Sequence, residues 1–86
     1  MRIQKQLPKF SNQARKFLGG LDFKAQQRLK KAIEKIPEGD ITPYRRMAGY
    51  LRLRIGDYRI IFTWLEDERI YIVIINFRGK SYKMGV

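Results

Sequence analysis

The chain of 86 residues carries 19 Lys or Arg against 8 Asp or Glu, a formal charge of +11 at pH 7, and it contains neither His nor Cys. Disulfides, zinc sites with Cys or His ligands, thiol nucleophiles and every dyad or triad built on imidazole are therefore excluded, which leaves Lys, Arg, Tyr, Ser, Asp and Glu for any chemistry. With 44% hydrophobic and 13% aromatic residues the charge belongs to one folded domain over 1–86, and its self-repulsion points to an anionic partner, nucleic acid before an acidic protein or a membrane surface.

The segment Met1 to Gln6 has no apolar h-region, and the longest apolar run is the six residues Ile70 to Ile75. Neither a signal peptide nor a spanning helix is expected, so the protein is expected in the cytoplasm without a membrane partner. Arg2 to Leu7 reads as a short edge strand, and Pro8 suits the opening of a helix. Phe10, Ala14, Phe17, Leu18 and Leu21 then recur on one helical face until Gly19-Gly20 supplies a stop. Asp22 caps a second helix whose apolar stripe is Ala25, Leu29, Ala32, Ile33 and Ile36, ended by Pro37. Two helices so tightly joined form an αα-hairpin, and the cations on its outer face, Lys24, Arg28, Lys30, Lys31 and Lys35, read first as a solvated surface. Residues from Glu38 to Gly49 read as loop.

After Gly49 the period becomes two. Tyr50 to Ile55 alternates, Gly56-Asp57 forms a two-residue hairpin turn, and Tyr58 to Leu65 is a second strand. Glu66-Asp67-Glu68 makes a polar turn without the ligand spacing of a calcium loop, so no metal or other cofactor is expected. Arg69 to Phe77 is a third strand, apolar on both faces and so central.

The two-residue turn sets Ile55 opposite Tyr58, Arg54 opposite Arg59, Leu53 opposite Ile60 and Arg52 opposite Ile61. Leu51, Leu53, Ile55, Tyr58, Ile60 and Phe62 then face the helices, and Arg52, Arg54 and Arg59 face away. With Leu65 paired to Ile70, the third strand sends Tyr71, Val73, Ile75 and Phe77 to the core and Asn76 to the arginine face. Without a bulge Arg78, Lys80 and Tyr82 follow Asn76, and Ile61, Thr63, Ile72 and Ile74 form an apolar patch further along the same face. Like charges directly opposite on a sheet cost stability, so this many cations on one face imply a phosphate-binding cleft. The apolar patch implies a partner chain.

Gly49 to Phe62, with its Tyr50-Leu51-Arg52-Leu53-Arg54-Ile55-Gly56-Asp57-Tyr58-Arg59 core, resembles the central signature of the RelE/ParE toxin superfamily of prokaryotic toxin-antitoxin modules. Asn76-Phe77-Arg78-Gly79-Lys80-Ser81-Tyr82-Lys83 resembles the C-terminal signature of its RelE-type members. The resemblance, which covers the whole chain, implies an α+β fold: an N-terminal strand and an αα-hairpin on one face of a three- to four-stranded antiparallel sheet. It implies a ribosome-dependent endoribonuclease that cuts mRNA in the A site and so inhibits translation. It also implies a cognate antitoxin, a small acidic protein, through which alone the toxin meets operator DNA. By position, Arg52, Arg54, Arg59 and Arg78 match the basic residues of such toxins, and Tyr82 matches the tyrosine that stacks on or orients the substrate. Several relatives place a His near Phe77 or toward the terminus, and this chain has none.

Cleavage by the RNA's own 2′-hydroxyl needs alignment, neutralisation of the phosphorane-like charge and two proton transfers. Arg52, Arg54, Arg59 and Arg78 serve the first two needs, and Lys80, with Tyr82 second, is the proton-transfer candidate. Lys24, Arg28, Lys31, Arg45, Arg46 and Asn76 are candidates for RNA binding, and Ile61, Ile72 and Ile74 for antitoxin binding. Two alternatives share the pattern: a ParE-type inhibitor of DNA gyrase, and an RNA-binding module or degenerate toxin without catalysis.

Overall fold

The structure, a computed structural model, describes residues 7–77. The expected strand at Arg2 to Leu7 and the candidates Arg78, Lys80 and Tyr82 lie outside these residues, Leu7 excepted. In chain order the elements are β1 (Lys9–Phe10), α1 (Asn12–Gly19), α2 (Phe23–Glu34), β2 (Asp40–Pro43), β3 (Leu51–Ile55), β4 (Tyr58–Trp64) and β5 (Ile70–Phe77). They form one five-stranded sheet in the order β1-β5-β4-β3-β2, with both helices against one face. The α+β class and the helical hairpin are as expected, but the sheet is mixed, because β1 runs parallel to β5.

The first helix opens at Asn12 rather than at Pro8. Ser11 is its N-cap, with extended backbone (φ −73°, ψ 169°) and a hydroxyl that accepts the Ala14 N–H at 3.0 Å. That oxygen satisfies one of the donors every helix start leaves open. Pro8 and Lys9 therefore remain extended, and Phe10 reaches the core from a strand, not from a helix. Asp22 caps α2 as expected, accepting from Ala25 N at 2.8 Å. The short connection is tied by Gln26, whose amide donates to the carbonyls of Leu18 and Leu21 at 3.0 and 3.2 Å.

The segment read as loop contains β2, which pairs antiparallel with β3 from Asp40↔Arg54 to Pro43↔Leu51. Asp-Ile-Thr-Pro is short, and its proline weakens any strand signal. At a sheet edge, however, a missing N–H need not interrupt a ladder. The β3–β4 hairpin has the expected register throughout, from Ile55↔Tyr58 to Arg52↔Ile61. Gly56 adopts φ +56° in the turn, a left-handed conformation that favours glycine, and the Arg28 guanidinium lies over it, 2.5 Å from where a Cβ would stand.

β5 departs from expectation at one point. Tyr58↔Phe77 through Ile61↔Ile74 follow the expected pairing, then the register shifts and Phe62 meets Ile72, Thr63 meets Tyr71 and Trp64 meets Ile70. Val73 is the extra residue of a β-bulge, and every side chain before it changes face. Ile70 and Ile72 thus enter the core with Ile75, while Tyr71 leaves it. The core is completed by Ala14, Leu18, Leu29, Ile33, Ile36, Leu53, Ile60 and Phe62.

The bulge is held from outside. Ser11 N–H donates to the Ile72 carbonyl at 2.9 Å, and the Ser11 hydroxyl donates to the Val73 carbonyl at 2.6 Å. Two residues on, the Gln13 side-chain amide exchanges two bonds with Ile75, donating to its carbonyl at 2.8 Å and accepting its N–H at 2.9 Å. Gln13 thereby reproduces the pairing that one residue of a neighbouring strand would supply. Since Ser11 serves both the helix start and the bulge, Ser11→Ala lowers unfolding stability by about 1–2 kcal/mol. Asn12→Ala, next to it and exposed, stays within about 0.5 kcal/mol in the same urea titration.

Candidate nucleic-acid interface

The sheet face away from the helices is organised in transverse rows. Asp40, Arg54, Arg59 and Asn76 stand directly opposite one another on four adjacent strands, β2, β3, β4 and β5. Parity puts all four outward, because Ile41, Leu53, Ile60 and Ile75, one residue from each, pack in or against the core. Arg59 Nε donates to Asn76 Oδ1 at 3.4 Å, a long bond that orients the guanidinium and leaves its terminal nitrogens for a ligand. Arg54 lies between Arg59 on one side and Asp40 on the other, without an ion pair to Asp40. Beside this row a groove of about 310 Å³ runs between the end of α2 and β3, lined among others by Lys35, Glu38, Asp40 and Arg54.

The next row is Thr42, Arg52, Ile61 and Ile74. Arg52 Nε and Thr42 Oγ1, cross-strand neighbours, are both shielded from solvent and lack a hydrogen-bond partner. An unmade bond at a charged donor is costly, and it leaves the rest of the Arg52 guanidinium, which is half-buried, to meet any ligand on this face. Arg52, Arg54 and Arg59 are each half-buried, so their charges are screened less than those of fully exposed side chains.

The structure therefore brings Arg52, Arg54, Arg59 and Asn76 together as expected from the sequence. It adds Asp40, which was missed because its segment read as loop; the signal available was the alternation of Ile41 between two polar residues. Lys24, Arg28 and Lys31 are exposed on α2, in the layer on the opposite side of the sheet, and Arg28 lies against the Gly56 turn. They do not join the arginine row. Arg45 and Arg46 are exposed in the loop between β2 and β3, which is closed by Tyr44 N–H to Tyr50 O at 2.9 Å.

Of the three isoleucines assigned to an apolar outer patch, Ile72 is corrected: the bulge puts it in the core with no exposed surface to offer a partner. Ile61 does face outward opposite Arg52 but is only 1% exposed, and Ile74 is half-buried. Phe77 packs on Tyr58 with ring centroids 5.1 Å apart and planes at 27°. Phe17 meets both rings edge-on at 5.6 and 6.3 Å. The three rings form an aromatic cluster at this position. Among the described residues no set of Asp or Glu is grouped to hold a metal ion, and no helix is long and apolar enough to cross a membrane.

Residues 6–82 match the model of the family described as ParE toxin of type II toxin-antitoxin system, parDE, and the chain belongs to this family of toxins. The fold is also that of solved toxin-antitoxin structures. It is similar to the RelB-RelE antitoxin-toxin complex from Methanococcus jannaschii, at 22% identity over 81% of this chain and 89% of that one, with a TM-score of 0.65. A RelBE toxin-antitoxin complex from Mycobacterium tuberculosis is 21% identical over 88% of this chain and 100% of its own, with a TM-score of 0.69. The archaeal RelE-RelB complex from Pyrococcus horikoshii is 24% identical over 94% and 100%, with a TM-score of 0.67. No curated protein matches the sequence.

Because Arg54 and Arg59 stand directly opposite and repel, replacing one of them raises stability. Arg59→Gln is expected to unfold at a higher urea concentration at low ionic strength, by about 0.2–1 kcal/mol. The difference shrinks in about 0.5 M salt, where screening removes most of the repulsion between exposed charges.

Proposed function

We propose that the toxin is an endoribonuclease that cuts mRNA in the ribosomal A site through attack of the 2′-hydroxyl on the adjacent phosphate. The observation that carries this reading is the row Asp40–Arg54–Arg59–Asn76, which sets a carboxylate beside two phosphate-binding cations. Arg54 and Arg59 hold the scissile phosphate and compensate the charge that grows on its oxygens, with Arg52 supporting from the next row. Asn76 orients Arg59. Asp40 accepts the 2′-hydroxyl proton as the 2′-oxygen bonds to phosphorus. The bond from phosphorus to the 5′-oxygen breaks, and that oxygen takes a proton, for which Lys80 is the donor and Tyr82 the second choice, with Arg78 adding positive charge. The products are a 2′,3′-cyclic phosphate and a 5′-hydroxyl. Asp40 supplies the proton acceptor that a chain without His otherwise lacks.

Lys24, Arg28 and Lys31 on α2 serve a different contact, docking on ribosomal RNA, whereas Arg45 and Arg46 adjoin the sheet face itself. A cognate antitoxin of acidic character restrains the toxin, a partner suggested by the solved complexes of similar fold and by the charge of +11. Ile74, half-buried, remains as an apolar contact for it on this face, whereas Ile61 and Ile72 are buried. Operator DNA is met only through the antitoxin.

A second reading, inhibition of DNA gyrase by protein contact, is favoured by the family model matched. Cleavage of mRNA in programmed ribosomes and supercoiling by gyrase, assayed side by side, distinguish the two. The endoribonuclease reading expects cleavage with undisturbed supercoiling, and loss of cleavage by about 100-fold or more in Arg54→Ala and Asp40→Asn. Cleavage at the wild-type rate by both folded variants overturns the role of the row, and arrest of supercoiling without cleavage establishes the gyrase reading.

A further inference from the structure

The outer face continues beyond the arginine rows, and its far end carries side chains that the cleavage chemistry does not use. The bulge at Val73 turns Tyr71 onto this face. Parallel pairing of β1 sets Lys9 beside Tyr71, and Thr63 of β4 stands across from it. The Thr63 hydroxyl donates to the Gly49 carbonyl at 2.9 Å, which holds the loop bearing the exposed Arg45 and Arg46 at this same end. Tyr71 is half-buried, Lys9 is exposed, and neither side chain has a hydrogen-bond or ion-pair partner among the described residues. A tyrosine ring braced by a sheet and flanked by cations is the arrangement that stacks an unpaired base and holds its phosphate.

We propose that Tyr71 and Lys9 form a nucleotide subsite for single-stranded RNA, the tyrosine stacking on a base about two nucleotides from the scissile phosphate and the lysine meeting the phosphate beside it. This deepens the endoribonuclease reading and rests on it. The spacing follows from the strand: Arg59 and Thr63 are four residues apart on β4, about 13 Å at the usual rise, and an extended RNA strand covers that distance in about two nucleotides. The subsite also has an end. Glu66, Asp67 and Glu68 occupy the β4–β5 turn just beyond Thr63 and Tyr71, and their charge repels a further phosphate, so the strand path along this face stops there.

The test uses the full chain in two assays: mRNA cleavage in programmed ribosomes, and fluorescence anisotropy with a short labelled single-stranded RNA. The mRNA is either intact or abasic at the second nucleotide on one or the other side of the cleaved bond. Tyr71→Ala raises KM on intact mRNA by about tenfold with kcat unchanged. An abasic nucleotide on one of the two sides does the same to the wild type, and combining it with Tyr71→Ala adds nothing further, as expected when both remove one contact. Tyr71→Phe behaves as wild type, since the stack needs only the ring, and Lys9→Ala flattens the salt dependence of RNA binding by about one unit of slope. Effects of Tyr71→Ala and the abasic site that simply add, or equal RNA affinity in Tyr71→Ala and wild type, overturn the subsite. Tyr71-dependent RNA binding by a wild type that cuts no mRNA refutes the cleavage reading while supporting the subsite.

Discussion

A two-residue turn leaves the hairpin it closes no freedom of register, and most of this molecule is arranged around that restriction. Once Gly56 and Asp57 make the turn, Arg54 must face Arg59 and Leu53 must face Ile60. A slip of one residue in either strand would bury cations and expose the isoleucines. The helices cover the apolar side, so the alternation is enforced by burial on one face, and the other face inherits a like-charge pair. The repulsion is therefore a consequence of folding correctly, eased by the salt of the solution or by any anion that meets this face.

The second organising element is the edge of β5. A bulge inside a sheet leaves one residue without a regular partner, and here Ser11 and Gln13 supply what the ladder lacks. Their bonds place the start of α1 against the strand that bulges, so the entry of the first helix and the direction of Tyr71 are decided at the same point. The two faces of the sheet are thus linked through the backbone: the hydroxyl that begins a helix on one side stabilises the irregularity that turns a tyrosine outward on the other.

Much of this was legible in the sequence. Strict alternation from Tyr50 to Ile55, a glycine-led turn and a β-branched return strand carry the hairpin, and the arginine face follows from parity alone. The capping Asp22 and the stripe through Leu29 and Ile33 carry the second helix. Three features were not legible. Pro8 looked like a helix opener because a proline before an amphipathic run usually is one, and only pairing of Lys9 and Phe10 with β5 decides otherwise. Asp40 to Pro43 alternates only once, at Ile41 between Asp40 and Thr42, which is too short a pattern to mark a strand, and the strand forms because β3 offers a free edge. The bulge at Val73 lies in a run apolar on both faces, where a one-residue shift leaves no trace in the hydrophobic pattern, so Tyr71 and Ile72 were assigned to each other's sides.

The way the sheet is bounded has a further consequence for how the protein behaves in a crowded solution. Growth of strand-paired filaments requires each molecule to offer an edge at both ends of its sheet. Beyond the two-residue β1, the β5 margin is occupied by Ser11 and by the side chain of Gln13, which fills hydrogen-bonding positions a foreign strand would need. Among the described residues only β2 presents a longer margin, and Pro43 interrupts its donors. Bounded in this way, the described residues can pair once through their sheet but offer no second edge of similar length from which to propagate.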